Sequence, residues 1–218
     1  MSITQQLIQN AAPHWAEYVE HPFVQQLENG SLPLACFQHY LKQDYLYLLQ
    51  YNRAFALAIY KADNFAQMEI AHRSVATLLH EIQLHIGFCQ EWGVSEAALL
   101  ATPESSTCIA YTRYVLDCGM TGGLPELYAA IAPCAIGYAE IGKRLAAGGK
   151  SPANNPYQAW IDAYAHPDFQ QATQALADNL EALCQGLDEQ RLAKIQQIFT
   201  TATRMEVAFW QMGLDLSE

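Results

Sequence analysis

Apolar residues recur every three or four positions along most of the chain, which is the period of a helix with one buried face. No segment alternates apolar and polar residues as a half-buried strand does. The pattern predicts helices over residues 2–19, 34–61, 65–92, 95–100, 105–118, 124–147, 157–165, 168–185 and 188–213. Turns are predicted over residues 23–29, 119–123 and 148–156.

Long helices joined by short connections indicate an all-α fold, an antiparallel helical bundle. No linker divides the chain, so we expect residues 1–218 to form a single domain. Ligand sites in such bundles are built in the core from side chains on facing helices. Polar residues on the apolar faces are therefore the candidates for function.

Composition narrows the possible partners. The chain has 22 acidic and 11 basic residues, a formal net charge of -11, which disfavours nucleic acid as a partner. The longest apolar stretch is shorter than a membrane span, and the first residues do not resemble a leader peptide, so we expect no membrane and a cytoplasmic protein. Charged residues make up only 15% of the chain, which favours extra surface buried between subunits.

Cys134 follows Pro133 inside the predicted helix 124–147. A proline there frees a backbone carbonyl and is expected to bend the helix. Tyr138 lies four residues further on and shares the face of Cys134, so a thiol and a phenol project together. The alternative is a cysteine that is a small buried hydrophobe. None of the six cysteines forms a CxxC pair that would indicate zinc or thioredoxin chemistry.

Asp44, Tyr47 and Tyr51 lie on one stripe of the predicted helix 34–61, among apolar neighbours. A carboxylate buried there needs a partner. One hypothesis is a hydrogen bond to a neighbouring tyrosine for helix packing. The other is a carboxylate that accepts hydrogen bonds from a ligand amine.

Glu206 lies between Met205 and Val207 on a face that otherwise belongs to the core. Apolar surroundings favour the neutral form of a carboxyl, which then serves as a general acid near neutral pH. The alternative is a half-exposed helical glutamate. Tyr111 and Tyr114 share the helix 105–118, where aromatic packing is the default role for each.

The sequence predicts no metal and no cofactor. Helical bundles that hold two iron ions use two Glu-x-x-His motifs, and this chain has one, from Glu69 to His72. Glu81 and His85 do not match the zinc protease pattern, which leaves a core hydrogen-bond role or some other metal site.

The order and spacing of short motifs along nearly the whole chain resemble the TenA family, also called thiaminase II. No single motif is specific, but together they are. The motifs are His21-Pro22-Phe23, Gln43-Asp44-x-x-Tyr47, Ala110-Tyr111-Thr112, Pro133-Cys134-x-x-x-Tyr138, Tyr157-x-x-Trp160-Ile161-x-x-Tyr164 and Glu206-x-x-Phe209-Trp210.

The resemblance implies a haem-oxygenase-like helical fold without haem, a homotetramer, and hydrolysis of aminopyrimidines in thiamine salvage. The substrate would be 4-amino-5-aminomethyl-2-methylpyrimidine, which loses ammonia to give the hydroxymethyl compound, with thiamine cleavage as a possible second reaction. The roles that the resemblance implies are Cys134 as nucleophile, Glu206 as proton donor, Tyr47 and Tyr111 as activators of the thiol, and Asp44, Tyr138 and Tyr164 as substrate contacts.

One departure from the family pattern lies between the cysteine and the tyrosine. Residues 135–137 are Ala, Ile and Gly, where bulkier residues often stand. Two other hypotheses stay open: a non-catalytic protein that binds pyrimidine or thiamine, and an oxygenase-type relative of the same fold.

Overall fold

In a computed structural model the chain is helical, and no strand occurs along residues 1–218. The structure describes the backbone of residues 1–218 and the side chains of residues 1–83 and 85–218. In chain order, the helices are α1 (Ile3–Ala11), α2 (His14–Val19), α3 (Pro22–Asn29), α4 (Leu34–Lys61), α5 (Phe65–Glu91), α6 (Glu96–Ala101), α7 (Ser106–Thr121), α8 (Leu124–Gly148), α9 (Gln158–Ala165), α10 (Pro167–Cys184) and α11 (Glu189–Asp215). The predicted all-α fold is confirmed.

The N-terminal prediction was wrong in two places. The predicted helix 2–19 is interrupted between α1 and α2, because Ala12 takes an extended conformation before Pro13. The predicted turn 23–29 is instead α3, where Pro22 occupies the first helical turn and the His21 ring caps the backbone N–H of Phe23. The dipeptide His21-Pro22 therefore ends one helix and begins the next.

Side-chain caps fix where several helices begin. In each case a side-chain oxygen accepts the backbone N–H of the residue three positions later, which satisfies a donor left free by the helix geometry. The caps are Asn64 for α5, Ser95 for α6, Ser105 for α7 and Asp188 for α11.

Helix α8 is the centre of the bundle and packs against α4, α7, α9, α10 and α11. Every residue from 124 to 133 is buried, as expected for a helix that is apolar on all sides. The helix continues through Pro133, and the nearby carbonyl of Ile131 accepts a hydrogen bond of 3.2 Å from the Tyr51 hydroxyl. The buried apolar residues of all the long helices form one cluster around α8.

No helix in the described chain is both long and apolar enough to cross a bilayer.

Candidate active site

Cys134 differs from the other five cysteines because it is half-buried, whereas they are buried. Its place directly after Pro133 in α8 puts the thiol among groups from facing helices. Burial raises the pKa of Cys134 well above its ordinary value, and the charge of Glu206 adds to the rise. The Tyr47 hydroxyl opposes this rise in the pKa of the thiol. The resting thiol is therefore protonated, and a thiolate has to be generated during a reaction.

Glu206 projects from α11 into the same space and is 2% exposed, which confirms its predicted burial. The Tyr111 hydroxyl donates a hydrogen bond of 2.6 Å to Glu206 Oε1. Burial raises the pKa of Glu206 to about 8, and the charge of Asp44 adds to the rise although the Tyr111 hydrogen bond opposes it. Near neutral pH this carboxyl holds a proton that it is able to donate.

Asp44 lies on α4 and is 5% exposed, so its predicted burial is also confirmed. Its Oδ2 lies 3.6 Å from Nδ1 of His85, which belongs to α5. The other ring nitrogen, Nε2, lies 3.0 Å from the Leu41 carbonyl, an acceptor that requires Nε2 to carry a hydrogen. Burial raises the pKa of Asp44 to about 6, and the attraction to His85 opposes the rise.

The neighbour of Asp44 is a residue that the sequence did not predict as its partner. Asp44 faces an imidazole rather than a neighbouring tyrosine. His85 has the core hydrogen-bond role that was weighed against a metal site. Among the residues that the structure describes, no group of three or more His, Cys, Asp or Glu side chains is placed to hold a metal ion.

Aromatic rings line the space between these polar groups. The Tyr47 ring lies 5.1 Å from that of Tyr111, and the Tyr138 ring lies 4.8 Å from that of Tyr164. The Tyr138 hydroxyl lies 3.3 Å from the Tyr40 hydroxyl. Rings at these distances are in contact with one another, so they form an aromatic wall beside the polar groups.

Electrostatic effects link all seven residues singled out from the sequence. After burial, the charges of Asp44 and Glu206 raise the pKa of Tyr138, and those of Asp44 and Cys134 raise the pKa of Tyr164. Tyr111 bonds Glu206 directly and also feels the charge of Cys134. One region of the bundle therefore contains Cys134, Glu206, Tyr47, Tyr111, Asp44, Tyr138 and Tyr164.

Tyr114, the neighbour of Tyr111 in sequence, lies outside this region. It is half-buried, and the groups that act on its hydroxyl are Thr201 and Cys118. A spacing of three residues places the two rings on adjoining faces of α7, and only the Tyr111 ring reaches the site.

Three buried polar atoms at the site have no hydrogen-bond partner among the described residues. They are the hydroxyls of Tyr18 and Tyr47 and the indole Nε1 of Trp210. Buried polar groups are usually paired, so unpaired donors that converge on one space indicate a place for a ligand. Tyr18 looks like ordinary aromatic core in the sequence, and Trp210 stands out there only as part of the motif that begins at Glu206.

Comparison with known proteins adds an independent finding. A family model described as TENA/THI-4/PQQC family matches residues 8–216. An uncharacterized protein of Haemophilus influenzae is 61% identical over 98% of this chain and 99% of its own length. A protein of Halalkalibacterium halodurans named aminopyrimidine aminohydrolase is 37% identical over 98% of this chain and 96% of its own.

A solved structure, described as a TenA family transcription regulator from Silicibacter sp., has the same fold. It matches with a TM-score of 0.91 and 43% sequence identity, and the match covers 97% of this chain and 96% of that one.

Proposed function

The chain belongs to the TENA/THI-4/PQQC family, and from that premise we propose that it is a hydrolase of aminopyrimidines in thiamine salvage. Its substrate is 4-amino-5-aminomethyl-2-methylpyrimidine, and its products are the 5-hydroxymethyl pyrimidine and ammonia. The observation that carries the proposal is a half-buried thiol, Cys134, that feels the charges of two buried carboxyls whose own pKa values differ. Two carboxyls with different pKa values have different protonation states at the same pH, so one acts as an acid and the other as a charged acceptor.

Cys134 is the nucleophile. Its sulfur bonds to the ring carbon beside the one that carries the aminomethyl arm, while Glu206 gives its proton to a ring nitrogen. The arm then loses ammonia, which takes the proton of the thiol, and an exocyclic methylene remains. Water adds its oxygen to that methylene, the carbon–sulfur bond breaks, one proton returns to Glu206 and the other to the sulfur.

Glu206 suits the part of proton donor because its pKa of about 8 keeps it largely protonated at neutral pH. Protonation of a ring nitrogen draws electrons from the ring and makes the attacked carbon electrophilic. Tyr111, which donates to Oε1 over 2.6 Å, holds the carboxyl in place. Tyr47 lowers the pKa of the thiol and so helps to generate the nucleophile.

Asp44 orients the substrate. With a pKa of about 6 it is largely charged at neutral pH and accepts hydrogen bonds from the 4-amino group. Tyr138 and Tyr164, whose rings lie 4.8 Å apart, contact the flat ring, and Tyr164 closes the pocket. An orientation error of an ångström costs about a hundredfold in rate, so these contacts contribute directly to turnover.

Thiamine cleavage is a second, slower reaction of the same site. The pyrimidine half presents the same 4-amino group to Asp44, and the thiazole leaves in place of ammonia. Cys134 and Glu206 keep their parts, because the attacked ring is unchanged.

We also propose a homotetramer in the cytoplasm. Large apolar side chains are exposed at the end of α4 and along α5, and charged residues are few, as in surfaces that other subunits cover. These side chains are Tyr60, Phe65, Met68, Ile70 and Leu79. Light scattering is expected to give about four times the 24.3 kDa mass of one chain. All six cysteines are free, with no disulfide bonds, which is typical of proteins in a reducing compartment.

The test is ammonia release from 4-amino-5-aminomethyl-2-methylpyrimidine by the purified protein. Cys134→Ser is expected to abolish release without unfolding the protein. Cys36→Ser is the matched control, because Cys36 is buried and its thiol bonds the Leu214 carbonyl, which a serine hydroxyl also reaches.

Two outcomes contradict the proposal in different ways. Full release by Cys134→Ser overturns the role of the thiol. A wild-type protein that binds the pyrimidine and releases no ammonia supports the non-catalytic hypothesis instead.

A further inference from the structure

Tyr18 of α2 reaches the site from a helix that holds none of the seven residues above. Its side chain is completely buried, and its ring lies 6.4 Å from that of Trp210. Its hydroxyl has no hydrogen-bond partner among the described residues. A fully buried phenol that leaves its hydroxyl unpaired is unusual and calls for a role.

A glycine makes room for this ring. A Cβ atom added to Gly137 would lie 2.0 Å from Tyr18 Cε1 and 2.7 Å from the hydroxyl oxygen, closer than real atoms approach. Gly137 lies inside α8, where glycine is less stable than alanine. The small residue at 137, which departs from the family pattern, thus provides the space for Tyr18.

Tyr18 packs against the helix that holds Glu206, since its ring lies 6.4 Å from that of Trp210, one turn beyond Glu206 on α11. Burial raises the pKa of Tyr18, and the largest electrostatic addition comes from the charge of Glu206. In return, the Tyr18 hydroxyl lowers the pKa of Glu206. Among the described residues, the one hydrogen bond to Glu206 is that from Tyr111 to Oε1, so Oε2 is available.

Other titratable groups face Glu206 from four helices. They are Tyr18 on α2, Asp44, Tyr47 and Tyr51 on α4, Tyr111 on α7, and Cys134 and Tyr138 on α8. Only Tyr18 and Tyr47 have unpaired hydroxyls, and Tyr47 acts on the thiol. Cys134 also acts on Glu206, but in the proposed reaction its sulfur is bonded to the ring once Glu206 has given up its proton, which leaves Tyr18 as the donor for the second oxygen.

We propose that Tyr18, in the space left by Gly137, donates a hydrogen bond to Glu206 once Glu206 has given up its proton. The protonated carboxyl has little need of a second donor, but the carboxylate does. A donor already in place where charge develops stabilises the step that creates the charge. Tyr18 is thus a positioning residue that acts through Glu206, and the proposal rests on the general-acid part given to Glu206 in the proposed function.

Tyr18→Phe is the first test, because it fills the same space and removes only the hydroxyl. The carboxylate loses a donor, so the pKa of Glu206 is expected to rise by about one pH unit. The alkaline limb of kcat/KM moves upward with it, and kcat at neutral pH falls about 10-fold. Tyr114→Phe is the matched control, because Tyr114 lies outside the site.

A second measurement does not depend on turnover. The infrared carbonyl band of the protonated Glu206 carboxyl, identified by its absence in Glu206→Gln, is followed against pH in the wild type and in Tyr18→Phe. A shifted midpoint in Tyr18→Phe supports the proposal even if no substrate is hydrolysed. Equal midpoints overturn it while leaving the aminohydrolase activity untouched.

The role of Gly137 is tested by combining substitutions at residues 137 and 18. Gly137→Ala is expected to destabilise the fold, because the new methyl meets the Tyr18 ring, and to cost less stability in a Tyr18→Ser background, where that ring is absent. Destabilisation of equal size in both backgrounds overturns the assignment of Gly137 as the space for Tyr18.

Discussion

Glu206 and Asp44 are the two buried carboxyls of the site, and they meet different neighbours. Glu206 is bonded by a phenol, a neutral donor, and burial raises its pKa to about 8. Asp44 faces the imidazole of His85 at 3.6 Å, and its pKa rises only to about 6. Burial alone pushes both values upward, so the neighbour decides how far.

The difference divides the work between the two ends of the site. At pH 7, about one unit from each value, Glu206 is mostly protonated and Asp44 mostly charged. The phenol end therefore supplies a proton, and the imidazole end supplies a charged acceptor. Two carboxyls of equal burial thus have opposite parts because of what each contacts.

Glu206→Gln breaks the phenol end and is expected to have the largest effect. The amide keeps the shape and still accepts from Tyr111, but it has no acidic proton. Loss of a general acid lowers kcat by about 10²–10⁴-fold. The measurement is the rate of ammonia release at pH 7, with folding checked by circular dichroism, and a rate within about threefold of wild type would remove Glu206 from this role.

Asp44→Asn breaks the imidazole end and is expected to act mainly on KM. The amide keeps the size of the side chain but loses the charge that accepts from the 4-amino group. Loss of a charged hydrogen bond lowers kcat/KM by about 10–100-fold. Asp117→Asn on the exposed face of α7 is the control, and equal values for the two variants would contradict the assignment.

Much of the fold and of the site could be predicted from the sequence. The helical period gave the long helices, and the apolar neighbours of Asp44 and Glu206 correctly indicated buried carboxyls. Spacing of four residues correctly put Cys134 and Tyr138 on one face of α8. Each of these depends on residues close together in the chain, which is where periodicity is informative.

The rest depends on which helices pack together, and periodicity carries no such information. His85 lies on α5 and gave only an ambiguous metal or core signal until the structure placed it beside Asp44. Tyr18 resembles ordinary core, and only its contact with Gly137 on α8 reveals a special position. The missed helix α3 has a local cause, since proline is disfavoured inside a helix but fits its first turn, where Pro22 lies.

The pH dependence of the free energy of unfolding distinguishes the two carboxyls without any substrate. Glu206 has a folded pKa of about 8 against 4.5 for an ordinary glutamate, so its contribution is complete below 4.5 and is lost as pH rises to about 8. Asp44, with a folded pKa of about 6, is half-titrated at pH 6 and has lost most of its proton by pH 7. Between pH 6 and 8, Glu206 should therefore cost up to about 1.4 kcal/mol of unfolding free energy per pH unit.

Urea unfolding of the wild type and of Glu206→Gln across that window measures this slope. The two proteins differ only at residue 206, so the difference between the two curves belongs to Glu206. Curves that run parallel from pH 6 to 8 would show that Glu206 is not held protonated in the folded state.

His85→Gln is expected to have the smallest effect and tests the imidazole end alone. The glutamine amide is able to donate to the Leu41 carbonyl, as Nε2 does now, but it offers Asp44 no positive charge. The attraction that holds the pKa of Asp44 down to about 6 is then lost, so that pKa rises. The acid limb of kcat/KM moves to higher pH, while the alkaline limb stays in place because Asp44 is charged there in both proteins.

His80→Gln, exposed on the same helix, is the control. An acid limb that does not move would mean that burial alone sets the ionisation of Asp44, and movement of both limbs together would mean that the two ends titrate as one unit.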